Sequence, residues 1–188
     1  MDGKIIFVLG GARSGKSSFA MAEALKINGR KAYIATAEAL DEEMKQRIER
    51  HKIARGPGWD TYEEPLEIAE VIKKIEGKYR AIVIDCLTLW LSNLMCRTQN
   101  KEQRAQTMET DIQRFLDKLK MFRDDSSCTL ISGFRILFIV SNEVGMGIVP
   151  ENEFARKFRD TAGFLNQKIA EIADEVYFVT AGIPLRIK

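Results

Sequence analysis

Near its start the chain runs through an apolar stretch, a glycine turn and a helix-forming stretch, and that order constrains the fold more than any other feature. Lys4-Ile5-Ile6-Phe7-Val8-Leu9 is apolar and rich in β-branched residues, the pattern of a strand buried on both faces of a parallel sheet. Gly10-Gly11-Ala12-Arg13-Ser14-Gly15-Lys16-Ser17 then fits the phosphate-loop pattern G-x-x-x-x-G-K-S/T. Ser18 to Leu25 follows with the apolar spacing and residue types of a helix, which is expected to run to about Ile27. Glycines let the backbone curl so that successive N–H groups and the helix N-terminus face one phosphate group. Lys16 supplies a mobile charge for the outer phosphates, and Ser17 offers a hydroxyl to Mg²⁺. The segment predicts a nucleoside triphosphate site on an α/β P-loop domain.

The alternation continues along the chain. Lys31 to Ala35, Arg80 to Asp85 and Arg135 to Ser141 read as further strands, and Trp59 to Glu63 as a short one. Helices are expected over 41–54, 65–75, 87–95, 103–122 and 151–173, with a closing hairpin of 176–180 and 185–187 around Ala181-Gly182. This predicts a mostly parallel sheet with helices on both faces and an antiparallel hairpin at the C-terminal end. The 188 residues suit a single domain, 1–188, and 123–133 is a polar connection matching no motif. A net charge of +2 lacks the basic excess of a nucleic-acid surface. Cys86, Cys96 and Cys128 form no C-x-x-C pair, which suits a reducing compartment. The N-terminal apolar run is too short to span a bilayer, and no signal-peptide pattern leads into it, so a cytoplasmic protein without a membrane anchor is expected.

In such sheets ligands collect beyond the carboxyl ends of the strands. Four features are predicted there: the phosphate loop, Thr36-Ala37-Glu38, Asp85 and Asn142-Glu143. Asp85 ends an apolar strand, where an acid beside a phosphate loop holds Mg²⁺; its alternative role is to cap the next helix. His51 is the one histidine, on a stripe with Leu40, Met44 and Ile48 that should face the body of the protein. Periodicity leaves two readings open for it, a packing residue or a nucleophile toward phosphorus. Of the basic run Lys45, Arg47, Arg50, Lys52 and Arg55, most should be solvated, with Arg55 the exception beside its Gly/Pro turn. Cys86 reads as a buried small residue, and Glu143 is a candidate general base by location alone. Two other functions compete: a small-molecule kinase with a structural histidine, and a nucleotide switch or motor. The missing N-K-x-D signature and basic stripe weaken the last.

Several stretches together resemble the bifunctional adenosylcobinamide kinase / adenosylcobinamide-phosphate guanylyltransferases of cobalamin synthesis. They are the phosphate loop, Tyr33-Ile34-Ala35-Thr36, Asp41-Glu42-Glu43-Met44 with Arg47-Ile48 and His51-Lys52, and the strand ending in Asp85. The most specific block is Asn142-Glu143-Val144-Gly145-Met146-Gly147-Ile148-Val149-Pro150-Glu151-Asn152, continuing into Phe158-Arg159-Asp160, Gly163 and Asn166-Gln167. The resemblance implies a RecA-like fold, a homotrimer, and two reactions. ATP or GTP phosphorylates the aminopropanol arm of adenosylcobinamide; GMP from GTP is then carried on His51 to adenosylcobinamide phosphate. It further implies nucleotide contacts from the phosphate loop, Ala35, Thr36, Ala37, Lys52, Ile53, Ala54, Arg55, Glu63 and Asp85.

Overall fold

A computed structural model describes residues 3–97, 101–124 and 135–188, so Cys128 and most of the expected 123–133 connection lie outside the described residues. The strands are β1 (Gly3–Gly10), β2 (Lys31–Ala35), β3 (Asp60–Glu63), β4 (Ala81–Asp85), β5 (Arg135–Asn142), β6 (Glu175–Thr180) and β7 (Ile183–Arg186). Between them lie α1 (Lys16–Leu25), α2 (Glu42–Arg55), α3 (Ile68–Ile75), α4 (Leu87–Cys96), α5 (Lys101–Asp124) and α6 (Glu153–Ile172). One seven-stranded sheet runs in the order β3-β2-β4-β5-β1-β6-β7, parallel throughout except for the β6–β7 hairpin.

The continuous apolar strands serve two layers at once. In β1, Ile5, Phe7 and Leu9 face the layer of α3, α4, α5 and α6, while Ile6 and Val8 face the layer that holds α1. Side chains alternate across a strand, so a central parallel strand must be apolar at every position. Phe7 is fully buried, and truncating such a residue to alanine typically costs about 3–5 kcal/mol. The helical cover is therefore lopsided, four helices against one, because α2 buries no residue at all.

Register delivers the site. Ala35 pairs with both Glu63 and Asp85, and Asp85 with Val140, so these residues form one row across the carboxyl ends. Gly10 pairs with Asn142 in the same way. Element ends shift slightly from expectation, for local reasons. The helix expected from Pro65 starts at Ile68, because the Glu64 carboxylate accepts N–H bonds from Leu66 and Glu67 (2.9 Å each) and folds a turn there. Similarly α6 starts at Glu153, after Asn152 caps it by accepting from Ala155 N–H at 3.1 Å.

Candidate active site

The turn after β1 has the backbone that its glycines permit. Gly10 has φ of 155°, and a Cβ there would lie 2.2 Å from the Val179 carbonyl oxygen. Gly15, at φ 96°, caps α1 in the left-handed region, where other residues are strained. Lys16 is the first residue of α1, 6% exposed, and its ammonium donates to the Gly11 carbonyl (2.5 Å) and lies 3.4 Å from Ser14 Oγ. Burial lowers its pKa; neighbouring Cys86 and the Asp85 carboxylate pull it upward, and the Arg47 guanidinium pushes it down again.

A cavity of about 840 Å³ opens above this turn, beyond the carboxyl ends of the strands. Arg13 to Ser18 form one wall, Ala35, Asp85 and Asn142 the floor, and α2 the opposite wall. His51 lines it, together with Met44, Arg47 and Ile48 from the same helix. The predicted stripe is thus real but faces this cavity rather than the protein body. Leu40, 79% exposed, lies ahead of the helix, whose N-cap is Asp41. His51 is half-buried there, on a helix that buries no residue fully.

On the floor, Tyr33 donates to Asp85 Oδ2 at 2.6 Å, and the Arg55 guanidinium stacks on the Tyr33 ring at 4.2 Å. Burial and the Asp85 carboxylate raise the Tyr33 pKa, so the phenol stays protonated and keeps donating. Burial likewise pushes the Cys86 thiol up to about 11, aided by Asp85, which leaves it inert as expected. Ser17 and Asp85 bring a hydroxyl and a carboxylate to one cavity, a donor set that fits a hard cation completing its shell with phosphate oxygens and water. No cluster of three or more histidine, cysteine or acidic residues that could hold a metal ion exists among the described residues.

The structure brings most of the expected residues together and sets others aside. Arg13, Ser14, Gly15, Lys16, Ser17, Ala35, Ala37, Lys52, Arg55, Glu63 and Asp85 line the cavity. Gly10, Gly11 and Ala12, also expected there, are not among the lining residues, and the Gly11 carbonyl accepts from Lys16. Thr36 is wholly buried, its hydroxyl donating to Cys86 O and accepting from Cys86 N–H at 2.8 Å each. It joins the ends of β2 and β4 and presents no side chain to the cavity. Ile53 and Ala54 face outward, Ile53 with 79% exposure. Lys52 and Glu63 pair with each other at 2.6 Å on the rim. Asn142 lines the cavity, whereas the Glu143 carboxylate turns back to accept from Gly145 N–H at 2.6 Å. Two lining residues named in the sequence reading were given no site role of their own there. Tyr33 carried a usable signal, since a tyrosine inside a buried strand must find a partner for its hydroxyl. Arg47 carried one too, lying four residues before His51 on the same helix face.

Comparison with known proteins gives the family and the fold. A family model described as cobinamide kinase / cobinamide phosphate guanyltransferase matches residues 6–187. The bifunctional adenosylcobalamin biosynthesis protein CobP of Pseudomonas aeruginosa is 39% identical over 181 residues, 96% of this chain and 95% of that protein. CobU of Salmonella typhimurium, named likewise, is 39% identical over 188 residues, 98% of this chain and 99% of that one. Among solved structures, the RadB recombinase superposes with a TM-score of 0.50 at 14% identity, covering 94% of this chain and 74% of that one, a likeness of fold alone. The fold is RecA-like, and the chain belongs to the cobinamide kinase / cobinamide phosphate guanyltransferase family of transferases.

Proposed function

We propose that this chain phosphorylates the aminopropanol hydroxyl of adenosylcobinamide from ATP or GTP. It then transfers GMP from GTP to that phosphate through a histidine–GMP intermediate, yielding adenosylcobinamide-GDP and pyrophosphate. The observation that carries this reading is the position of His51, the one imidazole, in the same cavity as Lys16, Ser17 and Asp85. Both activities appear in the description of the family.

In the guanylyl step the unprotonated ring nitrogen of His51 attacks the α-phosphorus of GTP. An N–P bond forms, the α–β bridging P–O bond breaks, and its electron pair leaves on pyrophosphate; the ring keeps its other N–H and takes the positive charge. A phosphate oxygen of adenosylcobinamide phosphate then attacks the same phosphorus, and neutral imidazole departs. Lys16 offsets charge growing on the departing group. In the kinase step the substrate hydroxyl oxygen attacks the γ-phosphorus, the β–γ bridging bond breaks, and the hydroxyl proton is released. The transition state is loose, so positioning and charge stabilisation dominate. Mg²⁺ held by Ser17 and Asp85 would add Lewis-acid charge at the phosphates in both steps.

The same reading includes a homotrimer working in the cytoplasm. The resemblance supports the trimer, and so do Met146, Ile148, Val149 and Phe164, apolar side chains left exposed for a partner to cover. Among the described residues no helix is long and apolar enough to cross a membrane.

Incubation with α-labelled GTP followed by denaturation tests the scheme. The protein should retain label that is acid-labile and alkali-stable, and His51→Ala should retain none while still phosphorylating adenosylcobinamide. Unlabelled wild type, or full labelling of His51→Ala, would remove the guanylyl step and leave a kinase with a structural histidine.

A further inference from the structure

We propose that Arg47 is a second catalytic cation, delivered by α2, which grips the β- and γ-phosphates of GTP and then the pyrophosphate that departs from the His51 attack. The inference rests on the guanylyl step proposed above and assigns that site a group not yet accounted for.

Of the seven cations that line the cavity, Lys16 is bonded to its own loop, four more are engaged, and Arg13 on the phosphate turn and Arg47 on α2 are not. Lys52 pairs with Glu63 and Glu49, Lys45 with Glu42, and Arg55 lies over Tyr33. Arg50 donates to the Gln46 carbonyl of its own helix. Arg47 lines the cavity and has no ion pair or hydrogen bond among the described residues. Its charge nonetheless reaches Lys16, whose protonation it disfavours. Two like charges directed into one cavity repel each other, and a polyanion between them turns that repulsion into attraction from both sides.

Helix geometry sets the spacing. Arg47 and His51 are four residues apart, hence on one face and separated by about 6 Å of rise. That is the scale of two successive phosphorus-to-phosphorus links. With His51 in line at the α-phosphorus, a guanidinium one turn back falls beside the outer phosphates, opposite the turn that carries Lys16. Its planar fork gives two parallel N–H bonds to phosphate oxygens, which a lysine ammonium cannot copy. The step is the one already balanced: the α–β bridging bond breaks, its electron pair goes to pyrophosphate, and Arg47 neutralises charge without giving up a proton. Arg47 thereby acts where pyrophosphate is present and has no role once it has left.

The experiment follows from that asymmetry. In single turnovers with α-labelled GTP, Arg47→Gln should label His51 about 10²–10³-fold more slowly than wild type. Discharge of preformed enzyme–GMP by adenosylcobinamide phosphate should keep the wild-type rate. The reverse reaction, release of GTP from enzyme–GMP by inorganic pyrophosphate, should need a higher pyrophosphate concentration. Arg47→Lys should recover part of the labelling rate and less than all of it. Arg47 is exposed, so the variants should melt at or above the wild-type temperature. Labelling of Arg47→Gln at the wild-type rate overturns the proposal, as does an equal loss in labelling and discharge, which would mark a structural prop. Unlabelled wild type overturns the parent guanylyl step and this assignment with it, an outcome distinct from both.

Discussion

Lys16 is a cation that folding removes from water before any phosphate is present to repay the loss. Its side chain is nearly covered, its hydrogen bonds go to its own loop, and burial holds its pKa below the usual lysine value. A lysine with a lowered folded pKa binds protons more weakly than the unfolded chain does. The penalty is therefore fully present at neutral pH and fades as pH rises toward 10.5. Lys16→Met, of similar length and uncharged, should thus raise the melting temperature of the nucleotide-free protein at pH 7 while abolishing both transfers. Saturation with GTP should reverse the ranking, because ligand at 100 times its dissociation constant adds about 2.7 kcal/mol to the form that binds it. Nucleotide-free Lys16→Met melting below wild type would mean that the ammonium is a structural anchor.

α2 depends on its termini to a degree that the other helices do not. It buries no side chain, so its order comes from the Asp41 cap, which accepts from Met44 N–H at 2.7 Å, and from surface pairs such as Lys52–Glu63. Asp41→Ala should cost about 0.5–2 kcal/mol of local stability. Amide exchange across 42–55 should quicken accordingly, with the global melting temperature almost unchanged. A fall in melting temperature matching the faster exchange would show α2 to be part of the cooperative core. The same thinness limits what the sequence reveals. Strands such as Ile5–Leu9 were legible because burial on both faces makes them apolar at every position, the helices over the main core because burial on one face imposes a period, and the turn at 10–17 because its chemistry needs particular residues at particular places. The stripe of Met44, Ile48 and His51 has a helical period as well, yet it faces a ligand-sized space, and period alone does not tell a core from a cavity. Thr36 shows the converse limit. A polar residue just past a strand end looks like a ligand group, but here it ties two strand ends through Cys86. Arg55 lines the cavity over the Tyr33 ring, the exception its position beside the Gly/Pro turn suggested, and Arg47 lines it too although its place in the basic run suggested a solvated face.

At the scale of the whole molecule, the sheet edge farthest from α2 braces the phosphate turn. The β6–β7 turn donates Gly182 N–H to Ser14 O at 2.9 Å, and the Val179 carbonyl occupies the space beside Gly10 that any side chain would need. Glu175 ties this edge together, pairing with Lys4 of β1 and with Arg186 of β7 (3.5 Å), while Tyr177 donates to it at 3.0 Å. Burial alone would raise its pKa; the bonds from Lys4 and Tyr177 and the charges of Lys4 and Arg186 outweigh that and hold it below the ordinary value. A carboxylate with a lowered folded pKa contributes stability in full above its unfolded value near 4.5, and that contribution is lost as pH falls through the folded pKa. Replacing it by glutamine should cost about 1 kcal/mol at neutral pH, between an exposed pair and a buried charged bond. For a chain of this size that corresponds to about 2–4 °C in melting temperature. The gap between wild type and Glu175→Gln should be widest from pH 6 to 8, narrow as pH falls below 4.5, and close only below the folded pKa, where both side chains are neutral. A gap that stays constant with pH would mean that the shape of the side chain, and not its charge, joins β1, β6 and β7.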